Sequence, residues 1–162
     1  MAHMQYCPWC GGRLGSKVIE GRELTACAAD SCGYVFWDNP LPVVAAIVEH
    51  EGSVILARGK GWPEKIFGII TGFLERGETP EEAVVREVRE ELGLSAKIEG
   101  FVGIYPFFQK NQLLLVYHLS AEGEITISDE LEEIKHISPE KLRPWAFGTG
   151  PAVKDWLEKR KM

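Results

Sequence analysis

The sequence contains no long apolar run, and this absence argues against a membrane-spanning helix. None of its hydrophobic stretches approaches the roughly eighteen consecutive apolar residues that cross a bilayer. The N-terminus also lacks the charged and apolar regions of a secretory signal peptide. We therefore expect a cytoplasmic protein with no membrane partner.

A surplus of positive charge is also missing. The 162 residues include 18 Lys and Arg against 24 Asp and Glu, a net charge of −6. Domains that hold a nucleic-acid backbone usually carry a basic stripe, so a nucleic-acid partner is not expected. The balance leaves room for a mononucleotide or dinucleotide substrate. The length fits one ordinary domain with a small appendage.

Cysteine does not occur after residue 32, and all four cysteines lie before that point. In a cytosolic chain such a concentration favours a metal over disulfides. Two pairs, with two and four intervening residues, make a closed tetrahedral site for structural zinc. The alternatives are a disulfide pair or a redox CxxC motif, and no βαβ pattern supports the latter. The predicted zinc ligands are Cys7, Cys10, Cys27 and Cys32.

The cysteine-containing segment predicts a small zinc ribbon over residues 4–38, and Asn39-Pro40-Leu41-Pro42 marks a boundary to a second domain over residues 40–162. A ribbon that binds phosphates should be basic, but this one has slightly more acidic than basic residues. We interpret it as a stabilising or dimerising appendage.

The most informative stretch is Gly72–Leu94, whose second half has the pattern of a capped helix. Its start and stop signals are a capping Thr79, Pro80 at the first helical position, Glu82 to complete a capping box, and Gly93 at the end. Val84 or Val85, with Val88 and Leu92, supplies a buried stripe.

Three carboxylates, Glu87, Glu90 and Glu91, share another face of this helix. They are either a solvated face balanced by Arg86 and Arg89, or ligands for a hard divalent cation such as Mg²⁺. Gly72 and Gly77 frame a tight loop before the helix, where the backbone can approach a ligand closely. The combination favours a metal site.

The stretch resembles the Nudix box, the signature of the Nudix hydrolases. The matching positions are Gly72, Glu78, Arg86, Glu87, Val88, Glu90, Glu91, Gly93 and Leu94. The resemblance implies an α/β class fold, a Nudix α/β/α sandwich, and an enzyme that cleaves the diphosphate bond of a nucleoside diphosphate derivative with a metal-activated water.

The same resemblance implies roles for individual residues. Glu87, Glu90 and Glu91 would hold Mg²⁺ or Mn²⁺, together with the backbone carbonyl of Thr71. Arg86 would pair with Glu78 and orient Glu87. In many relatives an acidic-apolar segment downstream supplies a further ligand or general base, and here Glu130 is the candidate, with Glu133 as fallback; the alternative is a solvated surface acid.

A ribbon before such a domain resembles the NADH pyrophosphatase group, and so does the run from Cys32 to Pro40. That group's array after the box is mostly replaced by residues 102–108. The implied substrates are therefore NADH, ADP-ribose or FAD, and the implied assembly is a homodimer. The alternatives are a catalytically silent nucleotide-binding or regulatory module and an RNA-end processing protein.

Several residues outside the box are candidates for substrate contact. Arg58, Lys60 and Lys65 either contact phosphates or are simply solvated. Stacking surfaces for a base, or ordinary core aromatics, are Tyr105, Phe107, Trp62 and Trp37. The remaining pattern predicts a terminal helix from Gly150 and strands over residues 43–48, 53–58, 66–71, 96–108, 112–119, 123–128 and 134–138.

Overall fold

A computed structural model describes residues 4–160, which divide into two compact units between Asn39 and Pro40. Residues 161–162, the predicted end of the second domain, lie outside the described part. No helix in the described part is long and apolar enough to cross a membrane.

The first unit is a small antiparallel sheet. Strands β1 (Leu14–Ile19) and β2 (Arg22–Cys27) form a hairpin, and β3 (Val35–Phe36) pairs with β2 on its other side. The apolar residues buried in this unit are few: Cys7, Ala26 and Cys27. A unit with so little core needs an additional source of stability, such as a bound metal.

The second unit is built on a six-stranded mixed sheet. Its strands are β4 (Leu41–His50), β5 (Ser53–Gly59), β6 (Ile70–Phe73), β7 (Ser95–Phe107), β8 (Gln112–Glu122) and β9 (Leu131–Ile137). The order is β7-β8-β4-β5-β9, with β6 paired to β4. Only β4 and β8 run parallel among these pairs within the described residues.

Helices cover both faces of this sheet. Helix α1 (Pro80–Leu92) packs its buried valines against Val44, Ala46 and Val48 of β4. Helix α2 (Gly150–Lys159) packs against the alternate residues of the same strand on the opposite face. Because successive strand residues point to opposite faces, the continuous apolar run of β4 serves both helices. The predicted α/β/α sandwich is confirmed.

Two strand predictions need correction. The third strand, predicted over residues 66–71, exists but runs over Ile70–Phe73; before it, Gly68 pairs with Ala57 of β5 in an isolated antiparallel bridge. Residues 123–128 form no strand. Instead the N–H groups of Thr126 and Ser128 donate to carbonyls at the end of α1, each at 2.9 Å. Helix-terminal carbonyls lack partners within the helix, so this segment provides a cap.

Candidate active site

Helix α1 is positioned by caps at both ends. The Glu82 N–H donates to the Thr79 hydroxyl, while the Thr79 N–H donates to the Glu82 carboxylate at 2.8 Å. Gly93 ends the helix in the left-handed conformation and donates its N–H to the Arg89 carbonyl. The predicted capping box and C-cap are confirmed. They fix the first and last residues of the helix and thereby the side of the helix on which its carboxylates lie.

Strand β6 and helix α1 meet at Gly72. A Cβ atom at this position would overlap the Glu87 carboxyl group, so only glycine leaves room for that side chain. Gly72 pairs with Val44 of the central strand, which fixes the backbone on this side. The strand and the helix therefore form a cradle that holds one carboxylate against the sheet.

Arg86 organises the helix end of this cradle. Its guanidinium donates two hydrogen bonds to Glu78, at 2.7 and 3.0 Å, in the bidentate geometry that binds carboxylates strongly. The Nη1 atom also donates to Glu87 at 2.7 Å and to Glu90 at 3.0 Å. The side chain is 17% exposed, so it links three acids in a partly water-excluded position.

Burial gives two of the acids unusual titration behaviour. Desolvation raises the pKa of the Glu91 carboxyl to about 8, and the charges of Glu87 and Glu130 add to the effect. Burial likewise raises the pKa of the Glu87 carboxyl, although the Arg86 hydrogen bond opposes this. Ionised carboxylates in this place call for a cation to neutralise them, and the all-oxygen donor set suits Mg²⁺ or Mn²⁺.

Glu130 follows the segment that caps α1. Its N–H donates to the Ser128 hydroxyl, and its carbonyl accepts from the Lys60 N–H at 2.8 Å, so the loop is tied to β5. Glu133, the fallback candidate, lies on β9 and forms an ion pair with Arg58 at 3.2 Å. Glu130, but not Glu133, therefore lines the same cavity as the acids of helix α1.

A cavity of about 530 Å³ opens over these acids. Its lining includes Thr71, Gly72, Arg86 and all four candidate carboxylates: Glu87, Glu90, Glu91 and Glu130. Six aromatic side chains complete much of the lining: Trp62, Phe67, Phe73, Phe107, Trp145 and Phe147. Its volume and mixture of apolar walls with a few polar groups match those of small-molecule sites.

Of the three predicted substrate-binding residues, Arg58, Tyr105 and Phe107, one lines the cavity and two do not. Phe107 lines the cavity. Tyr105 instead donates a hydrogen bond to Asp155 of α2 at 2.7 Å and is not among the cavity-lining residues. Arg58 is also outside that lining, and its ion pair with Glu133 joins β5 to β9.

Sequence reasoning missed the loop before α2. Trp145, Phe147 and Thr149 all line the cavity, as do Lys110 and Gln112 from the β7–β8 connection. The loop is tightly constrained, because a Cβ atom at Gly150 would overlap the Trp145 carbonyl. Its two aromatic residues within a Gly- and Pro-containing loop were the available signal, since aromatics in such loops often contact ligands.

The four cysteines of the first unit converge on one point. All four Sγ atoms lie within 4.8 Å of one another, with Cys7 to Cys32 at 3.7 Å and Cys10 to Cys27 at 3.5 Å. Zinc–sulfur bonds of about 2.3 Å in a tetrahedron require sulfurs about 3.8 Å apart, so the set fits zinc. Among residues 4–160 no other group of three or more His, Cys, Asp or Glu side chains is gathered this closely.

The family model for the NUDIX domain matches residues 39–157. The chain belongs to the Nudix hydrolase family. The matched region coincides with the second unit and includes every candidate carboxylate of the cavity. The resemblance found in Gly72–Leu94 is thereby confirmed at the level of the whole domain.

Curated relatives of this Nudix hydrolase extend the match into the first unit. An ADP-ribose pyrophosphatase from Methanocaldococcus jannaschii is 31% identical over 153 residues, covering 91% of this chain and 86% of that protein. A NAD-capped RNA hydrolase from Pseudomonas aeruginosa is 30% identical over 144 residues, covering 88% of this chain. The chain spans only 50% of the latter protein's length.

Solved structures agree on the fold. A NUDIX hydrolase from Nitrosomonas europaea superposes with a TM-score of 0.82 at 23% identity, covering 98% of this chain and 93% of that one. An ADP-ribose pyrophosphatase from Streptococcus suis gives a TM-score of 0.63 at 19% identity over 76% of this chain and 94% of that one. At these identities the likeness concerns architecture.

Proposed function

We propose that this Nudix hydrolase is a magnesium-dependent pyrophosphohydrolase that cleaves the diphosphate bond of a nucleoside diphosphate derivative. ADP-ribose is the leading substrate, with NADH and FAD as members of the same class. One observation carries the proposal: Glu87, Glu90, Glu91 and Glu130 line a single aromatic-walled cavity together with Thr71 and Gly72. Such a cavity offers apolar surface to a base and oxygen ligands to cations beside its phosphates.

Glu87, Glu90 and Glu91 are the proposed ligands of Mg²⁺ or Mn²⁺, with the Thr71 carbonyl. A divalent cation held there would neutralise phosphate charge and lower the pKa of a bound water. Glu130 lines the same cavity and is the proposed proton acceptor, or a further ligand. Arg86 is a positioning residue, because its hydrogen bonds hold Glu87 and Glu90 in place.

The choice of ADP-ribose rests on the curated relative with that activity, which this chain covers over 86% of its length. The cavity is consistent with this choice, since six aromatic side chains surround the space beside the acids. Aromatic faces accept a purine by stacking, and Lys110 in the lining would add positive charge for the phosphates.

Product analysis on ADP-ribose, NADH, FAD, nucleotide sugars and nucleoside triphosphates, with Mg²⁺ or Mn²⁺, tests the proposal. Wild-type protein should convert ADP-ribose to AMP and ribose 5-phosphate. Glu91→Gln replaces a proposed ligand oxygen with an amide nitrogen without changing the shape of the side chain, and it should abolish turnover. The matched control is Glu132→Gln, an exposed glutamate of β9 outside the cavity, which should leave turnover unchanged.

Full turnover by Glu91→Gln would contradict the assignment of the acidic site. Absence of turnover by wild-type protein across the whole panel, with nucleotide binding retained, would instead favour the catalytically silent binding module. These two outcomes separate the position of the site from the existence of the activity.

NAD-capped RNA is a second candidate substrate. The observation in its favour is that the Pseudomonas aeruginosa relative acting on such RNA matches 88% of this chain. The net charge of −6 opposes extended contacts with an RNA backbone. A NAD-capped oligonucleotide in the same panel, with its salt dependence, decides whether RNA beyond the cap is recognised.

We also propose that the cysteine set holds one structural zinc ion and that the protein is a homodimer. The sulfur distances support the zinc site. The dimer rests on analogy with ribbon-bearing Nudix proteins. Metal analysis of purified protein and light scattering test the two proposals separately.

A further inference from the structure

A second cavity, of about 390 Å³, adjoins the first one. The two cavities share the lining residues Trp62, Ile69, Thr71, Glu91 and Glu130. Two of these residues are acids of the proposed catalytic site. The acidic group therefore lies where the cavities meet, and a bond cleaved there has one half of the substrate on each side.

The cavities differ in the chemistry of their walls. The larger one has five aromatic side chains that the smaller one does not share: Phe67, Phe73, Phe107, Trp145 and Phe147. The additional residues of the smaller cavity are Ala57, Gly59, Lys60 and Leu131. One side thus suits a flat ring, and the other adds one cation, Lys60, to the two acids that both cavities share.

Trp62 lines both cavities and packs over two glycines. A Cβ atom at Gly59 would lie 3.1 Å from its Nε1 atom, and one at Gly68 would lie 3.6 Å from its Cζ3 atom. The indole therefore lies close over two backbone segments that have no side chains. Trp62 is 45% exposed and lines both cavities, so its indole contributes to the wall that limits the bulk of a group in the smaller one.

Lys60 is placed to meet an anion. Its N–H donates to the Glu130 carbonyl at 2.8 Å, which fixes its backbone beside the acids. Its ammonium lies 3.8 Å from the fully exposed carboxylate of Asp129. An exposed pair at this distance contributes little, so the ammonium can exchange Asp129 for a phosphate oxygen at low cost.

We propose that the two cavities divide the substrate, with the nucleobase half in the aromatic cavity and a compact phosphorylated sugar beside Lys60. This inference rests on the proposed function and deepens it. It predicts that nucleoside diphosphates linked to a sugar are preferred over those linked to a second ring system, such as flavin or nicotinamide, because Trp62 restricts the smaller cavity.

Separate binding of the two product halves tests the division. Calorimetry in Mg²⁺ would measure AMP and ribose 5-phosphate on wild-type protein and on two variants. Lys60→Ala should lower the affinity for ribose 5-phosphate by about tenfold or more, the loss expected for a charge-assisted hydrogen bond, and leave the affinity for AMP unchanged. Phe147→Ala should lower the affinity for AMP by about tenfold, as for a lost base-stacking contact, and leave the affinity for ribose 5-phosphate unchanged.

Matched controls come from the same chain. Lys65→Ala removes an exposed lysine of the same loop that does not line either cavity. Phe101→Ala removes a phenylalanine of β7 that is 52% exposed, close to the 50% of Phe147, but lies outside both cavities. Neither control should change the affinity for AMP or ribose 5-phosphate.

Selectivity between substrates provides a further measurement. Trp62→Ala should open the smaller cavity and raise kcat/KM for FAD relative to ADP-ribose by about tenfold or more, the scale on which a pocket excludes bulk. An unchanged ratio would contradict the role of Trp62.

The inference is overturned if Lys60→Ala and Phe147→Ala weaken the same ligand, if their effects are exchanged, or if wild-type protein binds no ribose 5-phosphate. Because binding does not depend on turnover, failure of the proposed function can be told from failure of the two-cavity division. The expected binding pattern without hydrolysis would contradict the proposed function alone. Hydrolysis without that binding pattern would contradict the two-cavity division alone.

Discussion

The Gly72→Ala substitution tests the structural basis of the acidic site. The added Cβ would overlap the Glu87 carboxyl group, which is 14% exposed and hydrogen-bonded to Arg86 at 2.7 Å. Either the carboxylate must move or β6 must shift away from α1. Overpacking of this kind costs about 1–3 kcal/mol in the free energy of unfolding.

The same movement should reduce turnover by about 10²-fold, the loss that follows when a reacting group is misplaced by about 1 Å. Urea denaturation gives the free energy of unfolding, and hydrolysis of ADP-ribose gives the turnover. The matched control is Gly100→Ala on β7, where an added Cβ would have no atom within 4 Å. That control should change stability by no more than about 0.5 kcal/mol. If Gly72→Ala matches wild-type protein in both stability and turnover, the argument from the cradle is refuted.

Three further predictions concern other contacts. Cys27→Ser should lower the zinc content of the purified protein from one ion per chain to nearly none, as measured by mass spectrometry; full retention would contradict the zinc site. The hydrogen bond from Arg86 lowers the pKa of the Glu78 carboxyl below its ordinary 4.5. The stability that this hydrogen bond supplies is therefore present above pH 4.5 and is lost as the pH falls through the lower pKa of the folded state. Urea titrations of wild-type protein and Glu78→Gln should therefore differ at pH 7 and converge in acid; a constant difference would refute the linkage. Tyr105→Phe should cost about 0.5–1.5 kcal/mol through the lost bond to Asp155 and leave KM for ADP-ribose unchanged, whereas a raised KM would place Tyr105 at the substrate.

Local signals predicted the centre of this molecule well. The capping box at Thr79 and Glu82, the stop at Gly93 and the spacing of the valines all occur within one short stretch of chain. These features depend on hydrogen bonds and side-chain periodicity that span three or four residues. The helix and the common face of its acids therefore followed from the sequence before any tertiary contact was known.

Predictions that depended on distant partners were less successful. Residues 123–128 have strand-like composition, but their N–H groups donate to the end of α1 rather than to a neighbouring strand. Tyr105 and Phe107 lie two residues apart on β7, and yet only Phe107 lines the cavity. The position of α2 accounts for this difference, because Asp155 on that helix accepts a hydrogen bond from the Tyr105 hydroxyl.

By itself, the sequence determined the family, the helix that carries the acids and the cysteine pairs that could hold a metal, because each follows from residue types at fixed short spacing. Only the tertiary structure decided between Glu130 and Glu133, brought the loop with Trp145 and Phe147 to the same cavity, and placed Trp62 in the lining of both cavities. These residues are far apart in the chain. Their proximity arises from the stacking of two helices on opposite faces of one sheet, which no local pattern encodes.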